Sequence, residues 1–216
     1  MLKDILCYTS GFILSDYLMT KLNFKGTYYW NHFLGNMYII MNTIQELPFC
    51  YFNISEAMTQ PTNNDIVSMV FSIHIYHILY YYQKLRYDDW LHHILMIGVS
   101  LPLSLRLNNG AILSHSLFFL SGLPGGIDYC LLFLERNGYI QKRHEKYINY
   151  HMNLWVRSPG CILSSYFIIN GYFNNYCNYT IVNTFSILLI SGTIFWNGIY
   201  FMNQVSEDYI LNYKKN

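Results

Sequence analysis

The sequence predicts an all-α protein, a multi-pass membrane helix bundle of about seven spans. Only 12% of the 216 residues are charged, against roughly 25% in an ordinary soluble domain. Hydrophobic residues reach 53% and aromatic residues 19%, and Tyr and Trp settle at bilayer interfaces. Apolar stretches of about 20 residues, long enough to cross a bilayer, recur along the whole chain.

The apolar stretches are assigned as spans 5–22, 30–52, 65–82, 89–105, 110–134, 147–169 and 180–202. The first begins almost at Met1, and no small-residue cleavage site follows it, which favours a retained membrane helix over a cleaved signal. We expect Asp16 and Glu46 to lie at the membrane interface. Arg157, in the sixth span, is either a snorkelling interfacial residue or an internal partner of Asp128 or of a ligand carboxylate.

The fifth span is interrupted by Leu123-Pro124-Gly125-Gly126. Proline and two glycines break the helical hydrogen-bond ladder, and membranes tolerate such breaks where backbone packs on protein or lines a cavity. His115 and Asp128 flank the break. Two interpretations stay open, flexible helix packing and a hinge in the wall of a cavity.

The unequal distribution of lysine and arginine residues predicts the orientation of the bundle in the membrane. One side holds ten of them, whereas the other side holds only Lys3 and Arg106. The positive-inside rule makes the basic side cytoplasmic, with a lumenal N-terminus and a cytoplasmic C-terminus. Two glycosylation sequons, at Asn53 and Asn178, fall on the lumenal side. The ten basic residues are Lys21, Lys25, Lys84, Arg86, Arg136, Lys142, Arg143, Lys146, Lys214 and Lys215.

An acidic pair and a histidine pair open the fourth span. Asp88 precedes His92 by four residues, and Asp89 precedes His93 by four. On a helix either carboxylate can therefore orient an imidazole and fix its tautomer. Ionisable side chains at membrane depth are costly and usually face a bundle interior or a cavity. The four residues are candidates for catalysis, and the competing interpretation is that hydrogen bonds hold them as interfacial or core residues.

Two more histidines, His74 and His77, share a face of the preceding span through their i,i+3 spacing. We therefore expect a histidine cluster near the cytoplasmic half of the bundle. Membrane di-iron hydroxylases also carry histidine clusters, but they use HxxxH and HxxHH boxes. This chain has 8 histidines in all and no HxxxH box, so the sequence predicts no metal site and no cofactor.

Three pieces of the sequence match a known domain, namely Tyr29-Trp30-Asn31-His32, the acidic residues before His92-His93, and Asn149, Trp155, Arg157 and Pro159. This layout resembles the TLC domain, which is shared by translocating-chain-associating membrane proteins, longevity-assurance-type ceramide synthases and ceroid-lipofuscinosis-type proteins. The resemblance covers roughly residues 24–209, with 1–23 as an added N-terminal membrane helix and 210–216 as a cytoplasmic tail. It implies a six-helix core that encloses a lipid-accessible cavity.

The ceramide synthases of this family transfer a fatty acyl group from acyl-CoA to a sphingoid amine, and they require the histidine pair. They also carry an acidic run one helix later, where this chain keeps only Asp128. Together with the spacing arguments above, these residues give a predicted catalytic set and a predicted substrate-binding set. The catalytic set is His92, His93, Asp88, Asp89 and Asp128, and the substrate-binding set is His74, His77, His115 and Arg157.

The leading functional hypothesis is a membrane protein that senses, handles or adjusts membrane lipids, in the endoplasmic reticulum or a related internal membrane. The first alternative is an N-acyltransferase that uses long-chain acyl-CoA as co-substrate and a sphingoid base as acceptor. The second is a cargo or translocation adaptor. The net charge of +1 argues against nucleic-acid partners.

The charge asymmetry predicts that the two termini lie on opposite sides of the membrane. We expect protease added to sealed microsomes to cleave a C-terminal tag and to spare an N-terminal tag. Equal protection of the two tags would mean an even number of spans and would contradict the topology.

Overall fold

The computed structural model describes residues 1–174 and 180–213, and these residues form helices and no strand. Seven of the helices are long and follow the seven predicted segments. Three of them, α6, α7 and α9, are long and apolar enough to cross a membrane, as expected of a membrane protein. The helices are α1 (Leu2–Lys21), α2 (Thr27–Thr43), α3 (Leu47–Phe52), α4 (Ile54–Thr59), α5 (Asn64–Tyr81), α6 (Tyr87–Leu107), α7 (Gly110–Arg136), α8 (142–173) and α9 (Ile181–Asn212).

The helices differ from the predicted segments at two places. The segment 30–52 is not one helix, because α2 ends at Thr43 and the short helix α3 begins at Leu47. Pro48 lies in the first turn of α3, where its missing N–H group costs nothing, whereas inside a continuous helix it would remove a hydrogen bond. The last helix runs on to Asn212, so residues 210–212 of the predicted tail 210–216 belong to α9.

A widened π-helical turn interrupts each of α6, α7 and α8. These turns are Ile94–Ser100, Phe118–Gly122 and Asn153–Arg157. A proline follows each turn at the second position, namely Pro102, Pro124 and Pro159. Proline cannot donate to the carbonyl four residues earlier and collides with it, and a π turn relieves that conflict by widening the ladder. The predicted break at Pro124 is therefore a bulge within a continuous helix.

Asp16 joins α1 to α2 and α5 through a buried carboxylate. Its side chain is only 2% exposed, so it faces the interior of the bundle. Thr27 Oγ1 donates to Oδ1 at 2.6 Å, and Tyr81 OH donates to Oδ2 at 2.6 Å. Tyr76 OH also donates to Oδ2, and Thr20 Oγ1 donates to Oδ1 at 3.3 Å. Four hydroxyl groups therefore satisfy a carboxylate that would otherwise be costly to bury.

Helices α8 and α9 pack closely because small residues line their contact. A Cβ atom added at Gly198 would lie 2.7 Å from Cβ of Cys161, so only glycine fits there without movement. Ser165 Oγ donates to the backbone oxygen of Ser191 at 2.8 Å across the interface. Small residues and interhelical hydrogen bonds of this kind hold helices together within lipid.

The outer surface is apolar, while the interior holds many polar groups. Leu18 is 51% exposed and Trp155 is 70% exposed, as expected of side chains that face lipid. Among the buried residues, in contrast, polar side chains are as numerous as apolar ones. Many are serines that donate to carbonyls of their own helices, as Ser72 does to Ser68 at 2.6 Å. This distribution suits a bundle surrounded by hydrocarbon instead of water.

Hydrogen bonds join neighbouring loops at both ends of the bundle. Lys25 N donates to Asn137 Oδ1 at 3.0 Å, which joins the loop after α1 to the loop after α7 at the basic end. At the opposite end, Thr62 Oγ1 donates to Asn108 Oδ1 at 2.9 Å. A cluster of buried apolar side chains fills the bundle near that second end, and it includes Met58, Ala111, Ile112, Ile168 and Ile187.

The Asp16 network predicts a large loss of stability on its removal. Asp16→Ala leaves the buried hydroxyls of Thr27 and Tyr76 without their acceptor, so we expect the free energy of unfolding to fall by about 3 kcal/mol or more. Unfolding in detergent micelles by titration with a denaturing detergent measures the change. The control Asp4→Ala removes a carboxylate of the same helix that is 40% exposed, and it should leave the free energy of unfolding nearly unchanged. Equal losses in the two variants would contradict this role.

Candidate functional site

A cavity of about 1480 Å³ lies among the helices, and all seven long helices contribute to its wall. Its lining extends to Lys25, Lys84, Arg86 and Arg136 at the basic end of the bundle. The wall also carries most of the predicted site residues, together with apolar side chains. The predicted residues in the wall are His74, His77, Asp88, Asp89, His92, His93, Asp128 and Arg157.

Five histidines from α2, α5 and α6 form a continuous chain of ring contacts in this wall. The ring centroids of His32 and His77 lie 5.0 Å apart, and those of His77 and His93 lie 5.3 Å apart. His74 contacts both members of the pair, at 5.7 Å from His92 and 5.2 Å from His93. The predicted cluster is thus present, with His32 as an additional member.

Backbone carbonyls fix the tautomer of two of these histidines. Nδ1 of His74 lies 2.7 Å from the oxygen of Val70, and Nδ1 of His32 lies 2.8 Å from the oxygen of Tyr28. Because a carbonyl oxygen only accepts, each Nδ1 carries the hydrogen. In the neutral rings, Nε2 of His32 and Nε2 of His74 therefore keep their lone pairs.

The paired histidines have ring nitrogens without hydrogen-bond partners. Both nitrogens of His93 and Nδ1 of His92 are buried and have no partner among residues 1–174 and 180–213. Buried polar atoms are normally satisfied, and exceptions call for a physical reason such as a bound water, ion or ligand. Here the histidines with unpartnered nitrogens, His92 and His93, line the cavity.

The acidic pair does not orient these histidines. Oδ2 of Asp89 accepts from the backbone N of Arg86 at 2.9 Å and from Arg86 Nε at 3.4 Å. Its role is to cap the first turn of α6, where the four leading N–H groups lack helical partners. This hydrogen bond and the negative charge raise the pKa of the Arg86 guanidinium. Asp88 is exposed at the mouth of the cavity.

Asp128 and Arg157 line the same cavity without forming an ion pair in the described part of the chain. Their charges are nevertheless close enough to interact. Arg157 Nη2 donates to Asn197 Oδ1 at 3.1 Å, and the guanidinium carbon lies 4.4 Å from the centroid of the Phe201 ring. Arg157 Nε and Asp128 Oδ1 are buried without a partner among the described residues. Arg157 is therefore an internal residue with hydrogen-bonding capacity to spare.

His115 lies apart from the cavity. Its Nδ1 donates to Ser164 Oγ at 2.7 Å, and its Nε2 accepts from Tyr51 OH at 2.9 Å. Ser164 Oγ donates in turn to the oxygen of Gly160 at 2.9 Å. Both ring nitrogens of this buried histidine are satisfied, so the structure gives it a packing role in the apolar half of the bundle. The structure therefore does not bring His115 together with the predicted site residues that line the cavity.

Of the two predicted glycosylation sites, only Asn53 lies within the described residues. Asn53 is exposed at the end opposite the basic end, where its Oδ1 accepts from the backbone N of Glu56 at 3.2 Å and caps α4. Asn178 lies outside the described residues.

Several residues of the cavity wall were not predicted as site residues. Asn149 and Asn153 are buried beside each other on α8, with Asn153 Nδ2 donating to Asn149 Oδ1 at 2.6 Å. Their i,i+4 spacing inside a span was a usable signal. His32 offered no such signal, because its partner His77 is on another helix.

Gly125 and Pro124 line the cavity, and Gly125 also allows a close helix contact. A Cβ atom at Gly125 would lie 2.7 Å from Asn36 Nδ2 on α2. The interrupted stretch of α7 therefore serves both purposes that the sequence left open, packing and cavity lining.

Comparison with known proteins gives no family for the chain. No family model, no curated protein and no solved structure matches it.

Proposed function

We propose that the chain is a seven-span TLC-type membrane protein that binds one amphiphilic lipid in the histidine-lined cavity. The leading role is lipid handling or sensing, with the six helices α2 and α5–α9 as the core and α1 as the added helix. The N-terminus is lumenal, the basic end is cytoplasmic, and the membrane is the endoplasmic reticulum or a related internal membrane.

The composition of the cavity wall carries this proposal. One part is polar, with the histidines, Arg157 and Asp128, while Ile39, Val70, Ile73, Leu120 and Leu132 form apolar surface. Binding pockets for small ligands typically measure roughly 300–1,000 Å³, and the cavity of about 1480 Å³ exceeds that range. A large space with both kinds of wall suits a polar head group joined to an acyl chain.

Arg157 is the residue best placed to hold an anionic head group. Its guanidinium is oriented by Asn197 and stacks over Phe201, and its unpartnered Nε leaves a donor for a ligand oxygen. Guanidinium groups bind carboxylates and phosphates through charge-assisted hydrogen bonds. The acyl chain would then follow the apolar part of the wall.

The binding proposal predicts that Arg157→Met weakens lipid binding about tenfold or more, because a hydrogen bond to a charged group contributes about 1.5–3 kcal/mol. Purified protein in detergent would be titrated with palmitate, palmitoyl-CoA and sphingosine, with binding followed by native mass spectrometry. Arg106→Met, at the other end of the bundle, is the matched control. The lipids retained from the host membrane identify the natural class.

Wild-type protein that binds none of the three probes and retains no lipid would overturn the proposal. Equal affinity of wild type and Arg157→Met for palmitate would remove Arg157 from the head-group site. Arg157→Lys keeps the charge and should bind palmitate more tightly than Arg157→Met, which separates charge recognition from a folding defect.

A second candidate function is acyl transfer at His92 or His93, favoured by their unpartnered ring nitrogens at the cavity wall. A neutral imidazole nitrogen attacks the thioester carbonyl of a long-chain acyl-CoA, the C–S bond breaks, and the CoA thiolate takes up the N–H proton that the acylated ring loses. An amine such as a sphingoid base then attacks the acyl-imidazole carbonyl. The C–N bond to the ring breaks, the amide forms, and the proton lost by the amine returns the imidazole to its neutral form.

Acyl transfer predicts transient labelling of the protein by radiolabelled palmitoyl-CoA, discharged by added sphinganine. The label should disappear in His92→Ala/His93→Ala and persist in His144→Ala, which changes an exposed histidine of α8. Labelling of all three proteins, or of none, would reject this chemistry.

A further inference from the structure

We propose that His74, His92 and His93 form a binding site for one divalent transition metal ion, Zn²⁺ in particular, in the wall of the cavity. One ring nitrogen from each of the three histidines lies within 4.8 Å of the other two. The three side chains come from two helices, α5 and α6, and His93 is buried. The proposal shares the cavity of the proposed function and adds a metal to it.

The hydrogen bonding of His74 is typical of a metal ligand. A histidine bound to a metal almost always donates its other ring N–H to a carbonyl or carboxylate, which orients the ring and raises its basicity. His74 donates Nδ1–H to the oxygen of Val70 at 2.7 Å. In the neutral ring its Nε2 therefore keeps a lone pair that can bind an ion.

The other two histidines supply lone pairs that nothing else in the described chain uses. Nδ1 of His92 and both nitrogens of His93 are buried without a partner. A metal ion would satisfy one nitrogen of each ring at once. The unpartnered nitrogens and the carbonyl-oriented ring of His74 are independent observations, and both point to a ligand at the same place.

The geometry suits an open zinc site. Tetrahedral zinc with Zn–N bonds of about 2.0–2.1 Å places its nitrogens about 3.4 Å apart. The three ligand nitrogens, within 4.8 Å of one another, need to close by about 1.4 Å at most, which side-chain rotation supplies. Zinc imposes no preferred geometry of its own and accepts three imidazoles with a fourth position open. That position faces the cavity and would take water or an oxygen of the lipid head group.

Carboxylates near the cluster lower the cost of a doubly charged ion in the bundle. Asp88 and Asp89 line the same cavity, and the charge of Asp89 acts on both His77 and His93. A neutral three-histidine site with nearby carboxylates balances charge better than an isolated cation at membrane depth.

This site differs from the di-iron centre that the sequence excluded. Two iron ions need the repeated histidine boxes that the chain lacks, whereas one zinc ion needs three imidazoles. His92 and His93 are adjacent in the sequence, whereas His74 lies on α5 and is separated from them by the segment that connects α5 to α6. Only the packing of the two helices brings the three rings together.

Metal binding and acyl transfer at the same imidazole exclude each other, because coordination uses the lone pair that would attack the thioester. A metal bound at His92 and His93 would instead polarise a carbonyl or phosphoryl oxygen at the open position as a Lewis acid. The lipid oxygen at the open position rests on the lipid-binding proposal. Metal binding by the three histidines does not depend on it.

The test uses full-length protein carrying a tag without histidines, purified in detergent and freed of metal with a chelator. Titration with Co²⁺ should give one equivalent of tight binding and the intense visible absorption of a four-coordinate site, which Zn²⁺ then displaces. His74→Ala and His92→Ala should each weaken binding about 100-fold or more, by analogy with the 10–100-fold losses from removing outer partners of metal ligands. His144→Ala should bind as wild type does.

Two measurements keep a folding defect apart from the loss of a ligand. Zn²⁺ should raise the melting temperature of wild type and of His144→Ala, and leave that of His74→Ala unchanged. Size-exclusion chromatography reports whether each variant is a single species. Wild type that takes up no Co²⁺, or equal Co²⁺ affinity in wild type, His74→Ala and His92→Ala, would overturn the proposal.

Lipid binding is measured on the same metal-free protein, so the two proposals fail separately. Palmitate binding without metal uptake rejects the metal site and leaves the lipid cavity. Metal uptake without lipid binding does the reverse.

Discussion

The buried carboxylate of Asp16 is the interaction on which the basic half of the bundle depends. It accepts hydrogen bonds from Thr27 at the start of α2 and from Tyr76 and Tyr81 near the end of α5. Those contacts fix the rotation of two helices that carry His32, His74 and His77 into the cavity. A single acidic side chain on α1 thereby positions imidazoles that it does not touch.

The bundle satisfies many of its buried polar groups internally. Many serine, asparagine and threonine side chains in the packed regions donate to carbonyl groups, as Ser165 does across α8 and α9. The buried atoms without a partner among the described residues include some of His92, His93, Asp128 and Arg157, which all line the cavity. Since unsatisfied groups are costly in a low-dielectric interior, the presence of these four at one cavity indicates a place for a ligand.

Local patterns in the sequence predicted the long helices and the histidine pair, because apolar length and i,i+4 spacing are properties of one segment. The end of α2 was misplaced because the apolar run continues past Pro48 into a second helix. The burial of Asp16 could not be predicted, because its four hydroxyl donors lie on three different helices. The meeting of His74 with His92 and His93, and the separation of His115 from them, depend on how helices pack, which no spacing within one helix can reveal.

The three π turns change the angular positions of the side chains along α6, α7 and α8. Each turn holds one residue more than an α-helical turn, so the side chains beyond it are rotated relative to those before it. In α7, His115 precedes the turn and faces the apolar cluster, whereas Asp128 follows the turn and faces the cavity. One continuous helix thus presents chemically different side chains to two compartments of the bundle, and a helical wheel drawn at 100° per residue across the turn would misplace the side chains beyond it.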